Sequence, residues 1–319
     1  MKLNKAVITG GCGFLGLNLT NWLISQGCEV LVIDNLSTGK LSNLDTANPL
    51  ITFLEHDLLK PIPQDLLNGV DIIFHFAANA DIRHGMKHSE KDIDQNIVVT
   101  ERILRSAVEA NIKDIVFSST AAALGEPDIF PTPEDISIPK QTSLYGMSKL
   151  AAEGILSAYS ANYGLRVSVF RFVSIVGPYY SHGHIIDFVH KLRDNPNTLE
   201  ILGDGQQRKS YLHVDDMIHA IEIVLKNHND ISSEFFEVYH LGNKEYCKVV
   251  ESADTICSSL GVNPSYTFTG GKRGWIGDSP FVHLDTSKLR KLGWEPTKNI
   301  LHSIHETTIW LKDRGEFNS

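Results

Sequence analysis

Six short β-rich runs fall before residue 175 of this 319-residue chain, each set off from the next by a stretch of helical character: AVITG, EVLVID, ITFLEHD, DIIFHFA, DIVFSS and RVSVFRF. Such alternation predicts parallel strands joined by crossover helices. AVITG and DIIFHFA are almost continuously apolar, as strands covered on both faces must be, whereas a sheet with one wet face alternates apolar with polar. The expectation is therefore an α/β chain: a Rossmann-type doubly wound parallel sheet in residues 1–175, then a smaller mixed α/β substrate-binding lobe in residues 176–319, the chain being free to cross between lobes near its C-terminus. Helices are expected from Leu15 to Gln26 and from Ser148 to Tyr163. Gly27 and Gly164 stop them, glycine taking the left-handed cap conformation without a Cβ clash. After Gly177 the rhythm shortens to a loop, GPYYSHGH, and the helical runs IIDFVHKLRDN and DDMIHAIEIVLKN. No Pro/Ser-rich linker separates the halves, so closely packed lobes with a cleft between them are expected.

Composition narrows the function. With 42% hydrophobic and 21% charged residues the chain can bury a large core and is not of the disordered class. Asp and Glu outnumber Lys and Arg by 38 to 29, a net charge of -9, which gives no counterion-release drive toward a polyanion. No nucleic-acid partner is expected. No run of 18 apolar residues and no cleavable leader pattern are present, so no membrane partner and a cytoplasmic location are expected. Cys12, Cys28, Cys247 and Cys257 form no CxxC pair and read as reduced thiols. His84-x-x-x-His88 and His182-x-His184 are the close histidine pairs. Neither brings a third ligand, so no metal is expected, and His182 and His184, after Gly177-Pro178, read as substrate-edge residues. Arg83 and His84 could face the substrate or the solvent.

The stretch Thr9-Gly10-Gly11-Cys12-Gly13-Phe14-Leu15-Gly16 follows one apolar run and opens a helix. Gly10 permits a tight turn, Gly13 lets backbone approach a pyrophosphate, and Gly16 lets the helix close on the sheet, its N-terminus facing the anion. Asp34 ends the second run, eighteen residues after Gly16, where a carboxylate accepts both ribose hydroxyls of NAD and repels a 2'-phosphate. Lys40 is the counterargument, for NADP. Tyr145-Gly146-Met147-Ser148-Lys149 places a phenol and an ammonium one helical turn apart. The cation, together with an oxidised nicotinamide, is expected to lower the phenol's pKa toward neutrality, so that Tyr145 takes a proton from a hydroxyl. Thr120 ends DIVFSS, at the carboxyl edge that faces the ligand crevice, where its hydroxyl could orient a substrate oxygen. The alternative for Ser118, Ser119 and Thr120 is turn capping.

Together TGGCGFLG, Asp34, HFAA, SST, YGMSK, RFVSIVGP, GDGQQRKSYLHVDD and LGWEP resemble the extended short-chain dehydrogenase/reductase family, in its NAD-dependent nucleotide-sugar epimerase/dehydratase branch, over nearly the whole chain. The resemblance implies a catalytic group of Thr120, Tyr145 and Lys149. It implies NAD contacts from Gly10, Gly13, Phe14, Leu15, Gly16, Asp34, Asn35, Asp57, Leu58, Ala77 and Ala78 together with Tyr145 and Lys149, the adenine falling at Asp57-Leu58. Asn96 would support the site through structure or water, and Phe172 and Ser174 would lie on the way to the nicotinamide and the sugar. A nucleoside diphosphate sugar would meet Thr120, Ser174 and two diphosphate-binding arginines, Arg208 and Arg273. Arg208 could instead be a solvated surface charge, and Arg273 is the less secure match because many epimerases carry arginine where Trp275 stands, just before Gly277-Asp278. Base contacts would come from around Leu199 to Leu202. Tyr211, Asp215 and Asp216 read as structural, the two carboxylates capping a helix that begins near Met217.

Family dehydratases carry an Asp-Glu pair after the hydroxyl residue and decarboxylases a nearby Glu. This chain has Ala121-Ala122-Ala123. Equipment for hydride and proton transfer alone implies a 4-epimerase working by transient oxidation at carbon 4; the alternatives are a 4-dehydrogenase or ketoreductase with net redox, and a redox sensor, whose relatives lose the Tyr/Lys pair. Ser174 replaces a frequent asparagine and Leu124 a frequent tyrosine. Val282 stands where a bulky residue narrows the sugar pocket in some relatives, which implies room for an enlarged sugar. The resemblance also implies a homodimer, built on Ile93 to Ala110 and Ser148 to Tyr163 as a four-helix bundle.

Overall fold

The computed structural model describes residues 3–80, 88–137, 140–228, 233–274, 279 and 281–317. It divides the chain into two compact units, one of Met1–Asp128, Glu134–Phe172 and Ile221–His240, the other of Ile129–Pro133, Val173–Ala220 and Leu241–Ser319.

In the first unit the six expected runs are strands: β1 (Lys5–Thr9), β2 (Glu29–Asp34), β3 (Ile51–Glu55), β4 (Ile72–His75), β5 (Asp114–Thr120) and β6 (Arg166–Phe172). A later strand, β7 (Phe235–Leu241), joins them in a seven-stranded sheet of order β7-β6-β5-β4-β1-β2-β3. This is why the chain returns to the first unit for Ile221–His240. β1 pairs in parallel with β2 on one side and with β4 on the other. The chain thus winds outward in both directions from β1, and the carboxyl ends of β1 and β4 open a crevice where that order reverses. Beneath lies a core that includes Val7, Ile33, Ile73, Phe117, Leu156 and Val169.

Helix α1 (Phe14–Ser25) runs close to its expected span, and Gly27 follows it with φ of 76°. The segment expected as one helix from Ile93 is a π-helical turn (Ile93–Val98) leading into α2 (Val99–Glu109). Helix α3 (Leu144–Tyr163) starts four residues before the expected Ser148, because the Ser143 hydroxyl accepts the N–H of Gly146 and caps it. Gly164 ends it in the left-handed region, as expected.

Among its described residues the second unit holds three two-stranded pairs: Tyr211–His213 with Ser174–Val176 and Ser265–Phe268 with Thr198–Ile201, both parallel, and Cys247–Lys248 with Arg208–Lys209, antiparallel. Its helices include His184–Asp194, Val249–Leu260 and Ile300–Asp313. The helix Val214–Asn227 begins three residues before Met217, so Asp215 and Asp216 lie inside its first turn and do not serve as its cap. Asp216 instead accepts the backbone N–H and hydroxyl of Thr297 and the N–H of Lys298. Asp215 is hydrogen bonded to His213 and paired with Lys298, and its carboxyl is held down at about 2. Trp294, the largest fully buried side chain among the described residues, donates its indole N–H to the Asp216 carbonyl at 3.0 Å. Trp294→Ala removes both packing and donor and is expected to lower stability by about 3–5 kcal/mol; a urea unfolding midpoint indistinguishable from wild type would contradict this account of the second unit.

Candidate active site

The glycine turn is shaped by contacts at the β1/β4 crevice. Gly10 has φ of 69°, and a Cβ built there would lie 2.8 Å from the nitrogen of Ala77 and 2.9 Å from its Cα. A Cβ on Gly16 would lie 2.3 Å from the Gly10 carbonyl oxygen, and one on Gly11 2.6 Å from Val32 Cγ1. Gly16 therefore closes the helix on the turn itself, and Gly11 is a requirement that the motif reading passed over. Gly13 caps α1 in an extended conformation with no side-chain hydrogen bond, which leaves Phe14 and Leu15 in the first turn with no side chain of a capping residue over them. The cradle fits a dinucleotide pyrophosphate: backbone at a helix N-terminus, with no Cβ at Gly10, Gly11, Gly13 or Gly16.

Asp34 is buried at the end of β2, its Oδ2 accepting the N–H of Cys12 and its Oδ1 that of Leu36. Each carboxylate oxygen keeps a further lone pair for a ribose hydroxyl. Asn35 uses its side chain locally, accepting the N–H of Ser37, and Asp57 does the same with Leu59. Leu58 belongs to the core cluster and Ala77 packs against it. Burial and the neighbouring Asp34 push the Cys12 thiol up to about 12, so it is inert as a nucleophile. Lys40 is exposed.

His75, quoted in HFAA but given no role, ties the crevice together. Thr9 Oγ1 accepts the N–H groups of Phe76 and Ala77, so its own proton goes to His75 Nδ1 at 2.7 Å. Thr100 gives its proton to the Asn96 carbonyl, so it accepts from His75 Nε2 at 3.0 Å. That order requires a neutral ring protonated on Nε2, and burial, with help from the charge of Lys149, holds its pKa at about 3. The chain of bonds continues from the π-helical turn. Asn96 accepts the N–H of Asn79 and donates to the Asn79 carbonyl and to Ser148 Oγ, and Ser148 donates to the Tyr145 carbonyl. Asn79 also donates to the buried Asp92 at 2.7 Å. Asn79, Asp92 and Ser148 were missed in the sequence; the hydroxyl lying inside YxxxK was the available signal.

Thr120, Tyr145 and Lys149 come together at the carboxyl end of β5. The first turn of α3 presses on the turn after Thr120, for a Cβ on Gly146 would lie 2.3 Å from the Ala122 carbonyl oxygen. The Thr120 hydroxyl both accepts the N–H of Ala122, as the capping reading expects, and is hydrogen bonded to the Tyr145 phenol. Burial pushes the phenol up to about 12, against the pull of Thr120 and aided by the charge of Asp92. The protein's own groups by themselves keep Tyr145 protonated, because desolvation disfavours the phenolate more than its neighbours favour it; the expected fall toward neutrality includes the charge of an oxidised nicotinamide. Lys149 is 1% exposed, with Nζ 3.9 Å from the centroid of the Phe117 ring, and burial brings it down to about 7 while Glu153 pulls the other way.

In the second unit Ser174 opens its strand on an exposed position opposite Tyr211. The Arg208 guanidinium sits 4.0 Å over the Phe281 ring and 5.2 Å from that of Tyr246. Arg273 is exposed, its carbonyl near Gly203. His182 is exposed and stacks on Tyr180, but His184 is hydrogen bonded to Ser252 at 2.5 Å and stacked on Tyr211, and burial lowers it to about 3. His184 is thus half-buried and tied into the packing of this unit. Arg83, His84, Trp275, Gly277 and Asp278 lie outside the described residues.

Three comparisons bear on this arrangement. The model of the NAD dependent epimerase/dehydratase family matches residues 6–242. Among curated relatives, UDP-glucose 4-epimerase of Lacticaseibacillus casei is 29% identical over 335 residues, covering 97% of each chain. UDP-glucuronic acid decarboxylase 1 of Arabidopsis thaliana is also 29% identical, covering 98% of this chain and 71% of its own. A crystal structure of UDP-galactose 4-epimerase is 33% identical with a TM-score of 0.86, covering 97% of this chain and 99% of its own.

Because Gly10 combines a positive φ with a backbone neighbour, Gly10→Ala is expected to cost about 1–3 kcal/mol at the turn. Dinucleotide affinity measured by calorimetry should fall at least about tenfold, and an unaltered Kd would refute the cradle as described.

Proposed function

This chain belongs to the NAD dependent epimerase/dehydratase family, and from that premise we propose that it is a nucleotide-sugar 4-epimerase acting by transient oxidation at carbon 4 of a nucleoside diphosphate hexose. NAD is the family's cofactor, and the turn at Gly10, Gly13 and Gly16 with the carboxylate of Asp34 would hold it. When bound, it supplies a hydride acceptor and donor and, when oxidised, a positive charge beside the phenol.

The observation that carries the reading is the meeting of Thr120 with Tyr145, Lys149 one turn further on, and only Ala121-Ala122-Ala123 beyond the threonine. Thr120 orients the sugar hydroxyl. Tyr145 takes the hydroxyl proton and returns it after the 4-keto sugar has turned over. The cationic form of Lys149 favours the phenolate, opposing the burial that otherwise keeps Tyr145 protonated. With no acidic pair after Thr120, nothing in that turn is equipped to expel water. Arg208, preorganised over two rings, suits the diphosphate, and Ser174 and Arg273 are its proposed companions. The small Val282 supports acceptance of an N-acetylated sugar.

Incubation with UDP-, GDP- and CDP-sugars, followed by NMR, tests the activity. Epimers should form without added NAD; stoichiometric free NADH would favour the net oxidoreductase instead. Tyr145→Phe keeps the ring, loses the proton carrier and should lower turnover about a hundredfold or more, so a fully active variant would remove Tyr145 from this role. The proposed homodimer, built on Ile93 to Ala110 and Ser148 to Tyr163, would bury the exposed Ile93 and Tyr163. Light scattering behind size-exclusion chromatography should then give twice the chain mass, and a strict monomer would dismiss it.

A further inference from the structure

β5 and β6 pair in register with Ser119 opposite Arg171, so both side chains leave the same face of the sheet. Two residues back along β5, on that face, is Phe117, whose ring lies beneath Lys149 Nζ. Helix α3 presents Tyr145, Lys149 and Glu153 at four-residue intervals, a single stripe. Glu153, 4% exposed, receives both partners from the sheet: Oε1 accepts Ser119 Oγ at 2.5 Å and Arg171 Nε at 3.0 Å, and Oε2 accepts Arg171 Nη2 at 2.7 Å. Arg171 is fixed from behind. Its Nη1 donates to the Glu134 carbonyl at 3.1 Å and faces His240 Nε2 at 3.3 Å, while the N–H of His240 donates to Glu134 Oε1. Strand and helix thus touch at two matched points, Phe117 to Lys149 and Ser119 to Glu153, which sets both the rotation and the axial position of α3.

A buried ion pair is a poor source of stability, since desolvating two charges offsets their attraction. Its geometric consequence is the clearer one. We infer that Glu153, braced by Ser119 and Arg171, is a positioning residue: it seats α3 on β5 so that Tyr145 meets Thr120, and it provides the counter-charge that opposes deprotonation of Lys149 in its buried place. The inference rests on the proposed roles of Tyr145 and Lys149. The groups facing Lys149 leave this task to Glu153. Tyr145 on α3 is protonated and His75 on β4 is neutral; Phe117 on β5 offers only its ring, and Arg171 on β6 partly offsets the carboxylate, with Glu134 and His240 beyond it. Loss of the Glu153 charge therefore drives the Lys149 titration lower, because burial is then less opposed.

The test is an NMR titration of isotopically labelled lysine side chains in the full-length protein, with the Lys149 signal assigned by its loss in Lys149→Met. In Glu153→Gln the Lys149 midpoint should fall by about one pH unit or more; a folded variant with the wild-type midpoint overturns the inference. Glu153→Asp keeps the charge but shortens the reach by one methylene. Its Lys149 midpoint should stay near the wild-type value, while kcat falls about tenfold at constant KM for the nucleotide sugar. Wild-type kcat in that variant likewise overturns it. Failure of every nucleotide sugar to turn over would strike the proposed function, whereas the titration needs no substrate and judges Glu153 independently.

Discussion

The direct pairing of β1 with β4 is the constraint on which the rest depends. These strands are far apart in sequence, yet Ala6 faces Ile72 and Thr9 faces His75. Their carboxyl ends come so close that only a glycine fits at position 10, against the backbone of Ala77. The same approach lets Thr9 bond Phe76, Ala77 and His75 at once, and through His75 it reaches Thr100 and the π-helical turn. A π-helical turn interrupts the regular i to i+4 ladder; here it carries Asn96, which joins Asn79 to Ser148. One strand pairing thus governs the glycine cradle on one side and the seat of α3 on the other.

Burial is the second organising influence, and it works against the proposed chemistry as readily as for it. Tyr145, Lys149 and His75 are all driven toward their neutral forms by desolvation. For His75 this is useful, because a neutral ring is what the hydrogen-bond order around it requires. For Tyr145 and Lys149 it must be opposed, and the opposition comes from specific neighbours: Thr120 for the phenol, Glu153 for the ammonium. A hydrophobic site alone would give a protonated phenol beside a neutral amine, which is no proton carrier.

Much of the fold could be read directly from the chain. Short β-rich runs alternating with helical stretches signal parallel strands, and the six runs match β1 to β6. Glycine positions were legible for the same reason, since a missing Cβ is a local property. Less legible were the features that depend on distant partners. Asp215 and Asp216 carry the signature of a helix cap, but His213, Thr297 and Lys298 claim them. His184 carries the signature of an exposed loop residue, but Ser252 hydrogen bonds it and Tyr211 stacks on it. The start of α3 was placed too late because the capping hydroxyl of Ser143 precedes the motif that drew attention.

The amino-acid sequence by itself determined the class of fold, the glycine turn with its acidic partner at Asp34, and the spacing that sets Tyr145 and Lys149 on one helical face. Each follows from periodicity or from the stereochemistry of single residues. Tertiary structure alone decided which protons those residues carry and what holds them: the neutral His75, the protonated Tyr145, and the pairing of Glu153 with Ser119 and Arg171. The physical reason is that desolvation and hydrogen-bond order are set by groups that neighbour one another only after β1, β4, β5 and β6 have been laid side by side.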